Sequence, residues 1–203
     1  MVVIIFLIEL MSSIRRRYIY LDSKVANVLS IYNSVIDERI CDKEVKEIKV
    51  IYGILNEIMD KVNVKFGRYI FFILGTLLLN MLNTFNWFFF YVKTNNLEIH
   101  PRQEFADSFL DPLINCICLA GIVMSCDRVE RCGQDIVRTC YKLQGQVDKG
   151  PLRDELVLLT RYVEGLAPKI SAWGFFQVNQ RLLCGLFATF ATYLIIILQF
   201  RKV

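Results

Sequence analysis

The chain has 203 residues, 55% of them hydrophobic and 15 of them Phe, with a net charge of +4. Apolar residues gathered in long blocks exclude an ordinary soluble domain and indicate an all-α, multi-pass integral membrane protein. The small charge, with no basic block interleaved with aromatics, excludes nucleic acid as a partner.

Val2 to Met11 is an apolar run of about ten residues, too short to span a bilayer, and Arg15, Arg16 and Arg17 follow it. A secretory signal carries its positive charges before the apolar core, so residues 1–17 read instead as the cytoplasmic end of a truncated membrane helix. From 18 to 68 the chain is amphipathic, with Leu21, Val25, Val28, Tyr32 and Val35, then Val45, Ile48, Ile51, Leu55, Ile58, Val62 and Phe66, recurring at three- and four-residue steps. Such a pattern fits a soluble coiled-coil hairpin or the extension of a membrane helix below the bilayer. The extension is preferred, because no Pro or Gly-rich stop precedes the apolar block that begins at Tyr69. A soft break near Cys41–Asp42 would allow two antiparallel arms.

Residues 69–92 form a predicted span, flanked by Lys65 and Arg68 on one side and Lys93 on the other. Asn80, Asn83 and Asn86 recur inside it every third residue, beside Thr76 and Thr84. Amides in hydrocarbon need partners, so these face other helices as interhelical glue, or they form the polar wall of a small-molecule pocket. Trp87 to Tyr91 crowd the far end as an aromatic belt at the interface; Asn80, Asn83 and Trp87 are the candidate pocket residues. Residues 93–110 are a polar extracellular loop, and its histidine, His100, reads as a solvated bystander. Asp111–Pro112 then open a second span, 111–126, with Pro at the first helical turn.

Charges of both signs return in 127–174, with a turn at Gly145 to Pro151 and a heptad-like seam of Leu152, Leu156, Leu159, Val163 and Leu166. Segments 12–68 and 127–181 carry 11 and 9 Lys and Arg, whereas 93–111 carries 2, so the first two are expected to be cytoplasmic. The last apolar stretch, in 175–203, is then a span running outward and leaving the carboxyl terminus outside. Along it Thr189, Thr192, Ile196, Gln199 and Phe200 lie within about 120° of one another at 100° per residue. Hydroxyls and an amide can replace cation hydration, and an apolar ring can dewet and block. Read from the residues alone, Gln199 is better explained as a marker of the interface end of the span.

The seven cysteines, at 41, 116, 118, 126, 132, 140 and 184, form no Cys-x-x-Cys pair and neighbour no His, so neither a zinc site nor a disulfide framework is indicated. No metal or cofactor is expected. With no paired carboxylates, His cluster or activated nucleophile beside a span, neither is an enzyme.

Two motifs carry a resemblance. Asn63-Val-Lys-Phe66-Gly67 stands before the first span, and Ser171-Ala172-Trp173-Gly174-Phe175-Phe176 leads to a final helix that closes Thr192-Tyr193, five residues on, with Gln199-Phe200. In order and spacing they resemble the carboxyl-terminal portion of insect gustatory receptors, within the insect chemoreceptor superfamily, over roughly Tyr18 to Phe200. The resemblance implies half of a seven-helix receptor, incomplete as it stands, that would give no ligand response alone. It implies a homo- or hetero-tetramer in the plasma membrane, gated by a small-molecule tastant and passing monovalent and divalent cations with little selectivity. Sugars, bitter compounds and carbon dioxide are all within the family's range. The final helix would line the pore, with the gate carried over to Ile196, Gln199 and Phe200 and Thr192 on the pore wall, and the cytoplasmic helices would anchor subunits together. The alternative from a different class is a non-catalytic structural or scaffold multi-pass protein. Its usual cysteine-rich outer loop is missing here.

Overall fold

In the computed structural model, which describes residues 2–34, 38–94, 102–148 and 150–200, five helices and one short hairpin follow in order. They are α1 (Val2–Ser34), α2 (Glu38–Thr94), α3 (Arg102–Gln146), α4 (Pro151–Gly165), β1 (Ser171–Ala172), β2 (Phe176–Gln177) and α5 (Gln180–Phe200).

The long helices pack by alternating three- and four-residue steps. On α1 the buried side chains are Leu7, Met11, Ile14, Tyr18, Leu21, Val25 and Val28. On α2 they are Cys41, Val45, Ile48, Tyr52, Leu55, Met59 and Val62, and α3 continues the rule from Leu119 to Leu143. A seam spaced at 3.5 residues keeps one face on its neighbour over many turns, which is why helices this long stay packed side by side. α1 lies mainly along α3, α2 touches both, and α4 folds back on α3 and α2.

Several boundaries depart from the sequence reading. The apolar run 2–11 and the amphipathic stretch after it are one helix, because the seam starts at Leu7 and runs unbroken through the arginines. Cys41–Asp42 sit inside α2, which begins at Glu38; residues 35–37 lie outside the described residues. The register on α2 is also corrected, since Ile58 is 42% exposed and Tyr52 and Met59 are buried. Tyr52 can take the inward position because its hydroxyl finds the Val163 and Leu166 carbonyls there.

The helix of the second span begins at Arg102, so Pro112 lies in its interior and not in its first turn. The missing N–H leaves a carbonyl one turn back without its donor, a loss that membrane helices tolerate. His100 falls outside the described residues. Stretches within Cys41–Asn86 and Pro112–Gln146 are long and apolar enough to cross a membrane.

Candidate functional site

The site of interest is the junction where α5 is seated on the packed helices. Its parts come from both ends of the chain. On α2, the Asn63 side-chain amide donates to the Lys169 carbonyl at 2.7 Å, and its oxygen accepts from the Ser171 N–H at 3.1 Å. One side chain thus pairs with the backbone just as another strand would. One turn later, a Cβ on Gly67 would stand 3.0 Å from the Ser171 carbonyl and 3.1 Å from the Trp173 nitrogen, so only glycine lets the hairpin lie this close. Phe71, one turn further, stacks its ring against Trp173, Phe175 and Phe176 at 5.3–6.1 Å between centroids.

The segment that delivers the hairpin is fixed twice more. Tyr52, fully buried, shares its hydroxyl hydrogen between the carbonyls of Val163 and Leu166 at 3.1 and 3.2 Å, satisfying the last turn of α4. Its ring meets Tyr18 and Tyr162 edge to face. Burial pushes the Tyr52 phenol well above its ordinary pKa, so it remains a donor. Pro168 then packs directly on Gly133 of α3.

Asp127 holds the base of α5. Its Oδ1 accepts from the Gln180 backbone N–H at 3.0 Å, and its Oδ2 accepts from Arg131 Nε at 2.6 Å. Arg131 in turn donates to the Gln180 side-chain oxygen. A carboxylate at a helix N-terminus satisfies a donor the helix cannot, and it also meets the positive end of the helix dipole, together about 1 kcal/mol. The exposed Asp127–Arg131 pair adds only about 0.3–0.5 kcal/mol. Beside this clasp, α3 and α5 border a charged cleft of about 840 Å³ lined by Glu130, Arg138, Arg181 and Cys184 among others. Among the described residues no group of three or more His, Cys, Asp or Glu is placed to hold a metal ion.

Above its base α5 is thinly covered. Leu182, Leu183 and Leu186 rest on the core, and Phe190 meets Phe85 of α2 with ring centroids 5.0 Å apart.

The family model for the 7tm chemosensory receptor matches residues 2–203. The chain belongs to that family. No curated protein matches it. As a chemosensory receptor it is a membrane protein whose family binds small chemical ligands and is not a family of enzymes.

In this chemosensory receptor the residues singled out by sequence fall in two places. Thr192, Ile196 and Gln199 are exposed along α5, with Thr189 beside them. The hydroxyls of Thr189 and Thr192 donate to the carbonyls of Gly185 and Ala188, each at 3.0 Å. With their hydrogens turned to their own helix, the hydroxyl oxygens present lone pairs outward. Asn80 and Asn83 are exposed on α2, and the Asn80 carbonyl accepts from Thr84 Oγ1 at 2.9 Å. Neither lines the charged cleft or the two other clefts described, near Asn63 and Pro151. The side chains of Trp87 and Phe200 lie outside the described residues.

Sequence reasoning missed Tyr52, Asp127 and Gln180 as parts of the junction. Asp127 and Arg131 did carry a signal, four residues apart just past an apolar run.

Proposed function

We propose that this chemoreceptor is a subunit of a ligand-gated, non-selective cation channel acting in taste, with α5 lining the pore. The observation that supports the reading best is the treatment of α5. Its base is clasped by Asp127, Arg131 and the hairpin, while from Phe187 onward nearly all of its described side chains, the stripe of Thr189, Thr192, Ile196 and Gln199 among them, stay uncovered in a single chain. The hydroxyls have their hydrogens satisfied within α5, but an exposed amide is a poor lipid ligand. Around a shared axis in a homo- or hetero-tetramer Gln199 would face water and cations beside the hydroxyl oxygens, with Phe200 at the narrow end. Asn80, Asn83 and Trp87 would border the tastant pocket, and segments 12–68 and 127–181 would lie in the cytoplasm, leaving the carboxyl terminus outside the plasma membrane.

Whole-cell recording of the assembled receptor tests the pore. Gln199→Ala is expected to change unit conductance, block and ion preference together; recordings matching the parent in all three remove Gln199 from the pore.

Thiol labelling tests the sidedness. Cys184 is exposed in the charged cleft, whereas Cys126 and Cys140 are buried. A membrane-impermeant methanethiosulfonate applied from the cytoplasm is expected to modify Cys184 ahead of those two and to reduce current. Labelling of Cys184 only from the opposite side would reverse the proposed orientation.

A further inference from the structure

The hairpin presents a feature that the seating of α5 does not require. Trp173 has a φ of 52°, a left-handed conformation that a bulky residue rarely adopts, followed by Gly174 at 78°. Asn or Gly is the ordinary choice at such a turn position. The turn is closed by the Phe175 N–H donating to the Ala172 carbonyl at 3.1 Å and the Gly174 N–H to Ser171 Oγ at 2.7 Å.

Only part of the indole is used for packing. Its ring meets Phe71 and Phe72 at 5.9 and 6.0 Å and lies under the Arg68 guanidinium at 5.8 Å, yet Trp173 remains 48% exposed. Around it Tyr69, Phe72 and Phe175 are 60%, 60% and 70% exposed. Four large aromatic residues open to the outside at one point form a patch that water would disfavour.

The level of the patch along α2 identifies its occupant. Lys65 and Arg68 are the last cations before the apolar block that starts at Tyr69, so α2 passes from charged to apolar at the patch. Cations beside exposed indole and phenol rings, at the mouth of an apolar span, complement the phosphates and the acyl boundary of a lipid leaflet.

We propose that the hairpin turn is a lipid anchor, with Trp173 and Phe175 entering the boundary between headgroups and acyl chains and Arg68 and Lys65 held at the lipid phosphates. The strained turn then has a physical reason, since it holds the half-exposed indole against α2 beside Arg68, at the depth where an amphipathic ring is most stable. The inference does not depend on which helix lines a pore.

The chain contains two tryptophans, so Trp87→Phe leaves Trp173 as the sole indole reporter. The full chain with this change is reconstituted in phosphatidylcholine–phosphatidylserine vesicles carrying lipids brominated at shallow or deep acyl positions. Shallow bromines are expected to cause the greater loss of Trp173 emission, and aqueous iodide little loss. Strong quenching by iodide would place the turn in water, stronger quenching by deep bromines would place it in the bilayer core, and protection from all three would place it against protein. Each of these outcomes overturns the proposal. Should Trp87→Phe fold poorly, as judged by circular dichroism, the difference in quenching between the parent chain and Trp173→Phe reads the same residue.

Discussion

Tyr52→Ala is expected to destabilise the folded chain by about 3–5 kcal/mol, the range for deleting a buried aromatic side chain. Tyr52 is fully buried in the α2 seam, between the edges of Tyr18 and Tyr162. Its hydroxyl also closes the last turn of α4 through the Val163 and Leu166 carbonyls. The two contributions separate experimentally. Tyr52→Phe keeps the ring and removes only the donor, which costs about 1–2 kcal/mol because buried carbonyls are left unpartnered. Most of the loss therefore belongs to the ring. Thermal unfolding of the detergent-solubilised chain checks both variants. An alanine variant melting with the parent would mean that α2 and α4 are not held together at this point.

The sequence pattern disclosed the helices and the apolar blocks well and the packing register less well. Steps of three and four residues predict amphipathic helices wherever they occur, and Val45, Ile48, Leu55 and Val62 are all buried. Between them Ile51 and Tyr52 compete for the same face, and hydropathy favours isoleucine. The structure buries Tyr52 because the Val163 and Leu166 carbonyls, more than a hundred residues away, satisfy its hydroxyl. That contact has no local trace. Pro112 misled for the opposite reason, since a proline that suits a first turn is also tolerated in the interior of a membrane helix.

The junction was half legible. Asn63-x-x-Phe66-Gly67 and Ser171-Ala172-Trp173-Gly174 stood out as separate motifs, and the structure brings them into contact through the Asn63 amide and the bare Gly67. Each motif looks arbitrary alone, because its chemistry is completed by the backbone of the other. The hairpin itself was not predicted, its strands being two residues each, too short for any alternation to register. Thr189, Thr192, Ile196 and Gln199 were placed on one face by spacing alone. They are exposed together with Phe187, Ala188, Ala191, Tyr193 and Ile195 on the other faces of α5.

Gly133→Ala has the second large effect, and it arises from a conflict between two magnitudes. In a helix interior the change ordinarily stabilises by about 1 kcal/mol, because alanine has less backbone freedom to lose. Here the added Cβ would stand 2.3 and 2.4 Å from Cδ and Cγ of Pro168, well inside any tolerated contact. A pyrrolidine ring cannot rotate away. Either α3 or the 166–170 segment must shift, at an overpacking cost of about 3 kcal/mol, so the net expectation is a loss of about 2 kcal/mol. The shift also matters for the junction, since Pro168 is followed directly by Lys169, whose carbonyl is held by Asn63. A double-mutant cycle isolates the contact. Pro168→Ala removes Cγ and Cδ, so in that background Gly133→Ala should lose most of its penalty and approach the stabilisation that propensity alone gives. Equal penalties in the two backgrounds would mean that Gly133 and Pro168 do not meet, and that the segment leading to the hairpin is seated on α3 in some other way.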